Sequence, residues 1–310
     1  MSKHVENPNS VAGNHIARYD LHLHTCWSYD ATARPENHFK RAHALGVRCI
    51  TITDHHVLDS LEEVLEIAQD YPEVRVVPSA ELSVTTSIGS VDLLCYGFPH
   101  PFPEELQTLL NAYHTWQRTQ GEALSRGLQA MGCNFTDADR LDLLRSYRPP
   151  RTIDVQGNTH VKGAFIRRYC VERGFIDTEA GYDDLWKQAR QKVHAPPYPH
   201  VADVIPVVKR AGALVAIAHP YGYFNRHDIP RMDALRTECQ LDGIECAHPG
   251  VPPEYTLFYR DYCVRHGLFS TGGSDCHTDE DIQQKFAGHG GPDEWLDGFL
   301  DRLDTRRRRS

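Results

Sequence analysis

The chain has 310 residues, enough for one large domain or two of medium size, and its 40% hydrophobic and 24% charged residues suit an ordinary globular protein. A formal net charge of −9 disfavours long nucleic acid and anionic membranes as partners, and no window is apolar enough to span a bilayer. Nine cysteines without a C-x-x-C pair read as reduced thiols in a cytoplasm, and 19 histidines, several beside Asp, Glu or Pro, point towards metal chemistry.

Residues 1–16 are polar, lack an apolar core and are expected to form a disordered leader rather than a secretory signal. A strand is predicted at 17–23. It carries Asp20-Leu21-His22-Leu23-His24-Thr25. Side chains alternate along a strand, so His22 and His24 share one face while Leu21 and Leu23 point to an apolar layer. Two imidazoles on one face suit a first-row metal ion. A helix follows at 35–45, opened by Pro35 and closed by Gly46. The strand at 47–53 ends in Thr53-Asp54-His55-His56, where His55 is either a ligand oriented by Asp54 or part of a satisfied turn. A helix near 60–70 is predicted to start with Ser60 as N-cap and Glu63 completing a capping box. Further strands are predicted at 75–78 and 91–96. Glu81, after the first of these, is either solvated or bridges two ions; Asp92, at the start of the second, needs a partner or a cation.

After residue 100 the pattern becomes helical. Leu106, Leu109, Leu110, Tyr113 and Trp116 recur at helical spacing over 104–132, and 135–147 and 160–173 also read as helices. The stretch 193–201 reads as an exit loop. Strand–helix alternation resumes with a helix at 201–211 and strands at 214–219, 242–246 and 268–272. The helix at 253–266 is capped by Gly267. His219 ends one strand, as a nitrogen ligand or a core histidine; His248 follows the next, as a loop residue or a substrate contact. The last strand ends in Gly273-Ser274-Asp275-Cys276-His277. In a closed barrel it neighbours the first, so the two motifs would meet. The expected units are a barrel, first part 17–100, a helical insertion 101–200, a barrel, second part 201–303, and a basic tail 304–310.

Together, His22-Leu23-His24-Thr25, Thr53-Asp54-His55-His56, Glu81, Ile217-Ala218-His219-Pro220 and Gly273-Ser274-Asp275-Cys276-His277 resemble the polymerase and histidinol phosphatase (PHP) family of metal-dependent phosphoesterases. The resemblance implies an α/β fold, a distorted (β/α)7 TIM-like barrel with an inserted, mainly helical second domain. It implies two or three divalent ions at the mouth (Mn²⁺, Fe²⁺, Zn²⁺ or Mg²⁺). One would be held by His22, His24, Glu81 and Asp275, a second by Glu81, Asp92 and His219, and a third by Asp30, His55 and His277. Many relatives carry histidine at Asp92 and Asp or Asn at His56, so the second site is more oxygen-rich here.

The insertion is similar to that of a nucleotide-acting subgroup through Gly157-Asn158-Thr159-His160-Val161-Lys162. The implied reaction is hydrolysis of a small phosphomonoester, nucleotide or nucleotide-like, by metal-activated hydroxide. Glu81 would bridge the ions, His56, His160 and His248 are candidate acids, and Asn158, Lys162 and Arg167 are candidate substrate contacts. Alternatives are an oligonucleotide 5'-exonuclease, a 3',5'-bisphosphate phosphatase, a non-catalytic metal-binding PHP module and an amidohydrolase.

Overall fold

The computed structural model describes residues 16–308; the leader expected at 1–16 lies outside them except for Ile16. The chain begins β1 (Tyr19–Leu23), α1 (Pro35–Leu45), β2 (Cys49–Ile52), α2 (Leu61–Ala68) and β3 (Arg75–Val76). These strands form a parallel three-stranded sheet in the order β1-β2-β3. Helix α1 has the ends expected of it: Pro35 opens the first turn, and Gly46 closes the last at φ 68°. The start of α2 differs. Ser60 is itself helical and its side chain caps nothing. Glu63 instead accepts hydrogen bonds from Trp27 Nε1 and Arg151 Nη2, each 2.7 Å, so a tertiary contact displaces the local capping box.

A hairpin of β4 (Ser79–Thr86) and β5 (Gly89–Tyr96) follows. The sequence reading ends a strand at Glu81 and misses that β4 is separate from β3 and runs on to Thr86. With two residues between them the strands must run antiparallel, because a parallel pair needs a long crossover. The expected run of uniformly parallel units is therefore interrupted. Next come α3 (Glu104–Ala130), α4 (Asp137–Arg145), α5 (Pro150–Gln156), α6 (Gly163–Glu172) and α7 (Tyr182–Ala189). The chain then returns through α8 (Val201–Arg210), β6 (Leu214–Ile217), α9 (Ile229–Glu238), β7 (Gly243–Ala247), α10 (Pro253–His266), β8 (Phe269–Gly272), α11 (Asp279–Lys285) and α12 (Asp293–Arg307).

The second sheet has the order β4-β5-β6-β7-β8, with β6, β7 and β8 parallel. Isolated bridges join the two sheets at both seams, Leu23 to Cys276 and His55 to Glu81. The ring they complete is a distorted TIM-like barrel with first and last strands adjacent. Its interior, the face that carries Glu81, is packed by Leu21, Leu94, Tyr96, Leu214 and Ala216, whereas Leu82, Leu93, Val215 and Ile217 face outward under the helices.

Helix α3 belongs to both parts of the molecule. Leu106, Leu110 and Tyr113 pack into the barrel core, whereas Leu124 and Leu128 join Phe135, Leu144, Ile166 and Cys170 in a separate core of the insertion. The basic tail expected from 304 is helical through Arg307, and Arg306 donates to Asp242 at 3.0 Å; Arg309 lies outside the described residues. All nine cysteines are buried and unpaired. Among the described residues no helix is long and apolar enough to cross a membrane.

Candidate metal centre

One end of the barrel gathers the polar ends of its strands. His22 and His24 come from β1 and the loop beyond it, Asp30 from the same loop, and His55 from the loop after β2. Glu81 lies on β4, Asp92 on β5, His219 just past β6, and Asp275 and His277 past β8. All nine predicted donors meet. His22 Nε2 and His24 Nε2 are 3.1 Å apart, and each is 3.2 Å from Glu81 Oε2. Asp275 Oδ1 lies 3.5 Å from the first nitrogen and 3.2 Å from the second. On the other side of Glu81, Oε1 is 3.1 Å from His219 Nε2, which is 3.8 Å from Asp92 Oδ2. Asp30 Oδ2 is 3.5 Å from His55 Nε2 and 3.4 Å from His277 Nε2.

These separations test the fit of metal ions. Donors about 2.0–2.2 Å from a shared ion stand roughly 3.0–3.5 Å apart. The set around His22 and His24 meets that spacing. Asp30 Oδ1 is buried without a hydrogen-bond partner, a costly state that a bound cation relieves, and His55 Nδ1 faces Glu81 Oε2 at 3.3 Å. Mixed imidazole and carboxylate donors suit divalent first-row ions, so the residues fit.

Other buried residues orient the donors. Glu245 on β7 is fully buried; its Oε1 pairs with His22 Nδ1 at 2.9 Å and its Oε2 accepts from His219 N at 2.6 Å. Sequence reading missed its role, although a carboxylate inside the apolar strand Gly243–Ala247 was a visible signal. Asp54, expected to orient His55, instead accepts from Thr25 N, Thr25 Oγ1 and Ser28 Oγ, and Ser28 Oγ contacts His24 Nδ1 at 3.2 Å. Both oxygens of Asp92 are engaged: Oδ1 accepts from Ser83 Oγ, and Oδ2 from Tyr223 Oη at 2.5 Å.

Three non-glycine residues here have positive φ: His56 at 66°, His219 at 28° and Asp275 at 53°. Such conformations cost about 1–3 kcal/mol each and persist only when neighbours hold them. The neighbours are other members of the site. His56 N donates to Glu81 O (2.8 Å), His219 N to Glu245, and Asp275 N to His22 O (2.9 Å). Gly273 completes the seam, since a Cβ there would stand 2.3 Å from His22 Cβ.

Burial opposes charge at His55, His219 and Glu81, yet opposite charges outweigh it. Asp30 and Glu81 raise His55 to about 10, and Glu81 raises His219 to about 9. Glu81 is held well below the usual carboxylate range by His22 and His55 despite its burial.

The remaining predicted residues are placed differently. His56 is buried behind the donors, its Nε2 2.9 Å from Ser83 Oγ and its ring stacked on Tyr113. His160 packs against Tyr29 with tilted rings and centroids 3.8 Å apart, and burial lowers it to about 4. His248 Nε2 lies 3.3 Å from Asp275 Oδ2, while its Nδ1 accepts from Gly250 N at 2.9 Å. Asn158 is occupied by Arg140 and the Asp137 carbonyl. Arg167 pairs with Asp183 at 2.6 Å within the insertion. Lys162 precedes α6, its backbone N–H donating to Tyr147 Oη.

Among solved structures, a candidate metal-dependent phosphoesterase from Bifidobacterium adolescentis superposes with a TM-score of 0.69 at 23% identity, covering 92% of this chain and 96% of its own. An amidohydrolase from Chromobacterium violaceum, solved with sulfate and without metal, superposes with a TM-score of 0.70 at 21% identity, covering 94% and 97%. At these identities the likeness is one of fold. No curated protein gives a significant match. The PHP domain matches residues 20–193, more than half of the chain, and spans the segments that supply His22, His24, Asp30, His55, Glu81 and Asp92; the chain belongs to the PHP domain family.

Proposed function

We propose that this protein is a metal-dependent phosphoesterase that hydrolyses a phosphomonoester of a nucleotide or nucleotide-like small molecule. One observation carries the reading: Glu81, almost fully buried, presents both carboxylate oxygens to two separate groups of donors. In this reading His22, His24, Glu81 and Asp275 hold one ion; Glu81, Asp92 and His219 hold a second; Asp30, His55 and His277 hold a third. Divalent ions bound there would supply a nucleophile at neutral pH and offset charge on the phosphoryl oxygens.

The protein's own residues do the rest. Glu245 fixes the His22 ring so that Nε2 faces the donors. Glu245, engaged with His22 Nδ1 and the His219 N–H, is outer support for the donors. His56 and Ser83 hold Asp92, a positioning role. His248 is the group best arranged to donate a proton. Its Nδ1 accepts from Gly250 N–H, so in the neutral ring Nε2 carries the hydrogen and directs it towards Asp275. His56 Nε2 is turned to Ser83 and His160 packs against Tyr29, whereas His248 Nε2 lies beside the donor Asp275.

The decisive experiment is a phosphate-release screen over nucleotides, 3',5'-bisphosphates, short oligonucleotides and sugar phosphates. It is run on chelated protein with Mn²⁺, Mg²⁺, Zn²⁺ or Fe²⁺ restored in turn. Activity lost on chelation and restored by a divalent ion is expected, with mononucleotides preferred. Phosphate release unaffected by stringent chelation would overturn the assignment.

A further inference from the structure

We propose that the cleft between the insertion and the barrel mouth, walled by Tyr29, Trp116, His160 and Tyr198, is a subsite for a flat heteroaromatic ring on the alcohol part of the phosphoester. The proposal rests on the phosphoesterase reading above. The cleft holds about 410 Å³, a size usual for small-molecule pockets. Its four rings come from four segments: the loop after β1, helix α3, the loop before α6 and the loop before α8. Trp116 stacks on Tyr198 with centroids 4.4 Å apart, Tyr29 packs against His160 at 3.8 Å with the rings tilted by 39°, and Trp116 meets His160 edge-on at 5.6 Å.

The rings are held in place by the backbone. Trp116 Nε1 donates to Pro197 O at 2.8 Å, so the one polar atom of the indole is satisfied. Tyr147 Oη donates to Tyr29 O at 2.8 Å, and His160 N donates to Gln117 O at 3.2 Å. Gly121 lets α3 press against the His160 loop, since a Cβ there would stand 2.6 Å from Thr159 O. No carboxylate lines the cleft, and Arg190, exposed at the rim, is its charged side chain. A neutral ring can therefore enter without desolvating a fixed charge at the inner wall. Burial keeps His160 neutral, consistent with a stacking surface.

Position ties the cleft to the chemistry. Tyr29 directly precedes Asp30, and its ring lies 5.6 Å from that of His55. A phosphate at the donor cluster joined by a short spacer, such as a pentose, to a planar ring would place that ring among the four. Stacking of a base on aromatic side chains is typically worth about 1–3 kcal/mol, so loss of a wall should cost about tenfold or more.

The test compares adenosine 5'-monophosphate with ribose 5-phosphate, which differ by the base alone. With metal restored, kcat/KM is expected to favour the first by at least about tenfold, and Trp116→Ala to reduce that ratio by about tenfold. Trp116→Phe, which keeps a flat ring, should restore most of it. Independently, adenosine binding to chelated protein is measured by calorimetry; it should be present in the parent and Trp116→Phe and lost in Trp116→Ala. Equal turnover of the two esters in the parent, or adenosine binding unchanged in Trp116→Ala, overturns the subsite. If no ester is hydrolysed with any metal, the phosphoesterase reading fails instead, and the adenosine measurement still decides whether the cleft binds a ring.

Discussion

Glu81 is the residue on which the cluster turns, because its two oxygens face different donors. Glu81→Gln should lower bound metal, measured by elemental analysis, and cut kcat by about 10²-fold or more, a larger effect than His56→Ala. Near-normal metal content and turnover would mean the wrong carboxylate has been chosen. Asp92 separates a ligand from a bystander. Asp92→Ala is expected to reduce the metal count, and Asp92→His to restore it with a preference moved towards zinc, read by competition between Zn²⁺ and Mn²⁺. His248 has a different signature. If its Nε2–H protonates the leaving oxygen, His248→Ala should cost about 10²-fold or more on alkyl phosphates and far less on p-nitrophenyl phosphate, whose leaving group needs little protonation. Equal losses on both esters would assign His248 to binding.

Among elements, β7 shows how a strand outside the predicted ligand set governs the site. Glu245 is held between β1 and the loop after β6, touching His22 and the His219 backbone. Glu245→Ala is expected to weaken metal binding by about 10- to 100-fold, the usual cost of losing an orienting partner, measured by titration with a chelator as competitor. An unchanged affinity would show that packing alone orients His22. Helix α3 is the other governing element. One rigid helix is anchored in the barrel core at Tyr113, whose Oη donates to Ser83 O, and carries Trp116 and Gln120 to the cleft. The insertion is therefore built onto the barrel through continuous secondary structure.

At the scale of the whole molecule, protonation and metal occupancy compete for one set of atoms. Without metal, carboxylates raise His55 to about 10 and His219 to about 9, so both rings are charged at neutral pH. A raised folded-state pKa stabilises the metal-free fold fully below the unfolded value of about 6.5, and that contribution is lost as pH rises through the folded values. Metal binding must displace the same protons, so it tightens as pH rises. The Tm of chelated protein should fall between about pH 6.5 and 10, while the gain on adding Mn²⁺ grows over that window. Thermal scans with and without metal would read this directly; a metal-induced gain independent of pH would place the ions elsewhere.

The sequence by itself determined the family, through its strand-end motifs, and that resemblance implied the nine donor candidates that the fold brings together; alternation alone put only His22 and His24 on one face. Helix α1 and helix α10 were legible to the residue, since proline starts and glycine stops act locally. Only the tertiary structure decided the rest. Ser60 lost its cap because Glu63 met Arg151, 88 positions along the chain. Glu81 lay inside a strand rather than at its end, through pairing with β5. Asp54 turned to Thr25 and Ser28, Glu245 to His22, and four rings from distant segments closed one cleft. In each case the deciding partner lies far away in sequence, and the hydrogen bond or contact made across that distance outweighs what the neighbouring residues favour on their own.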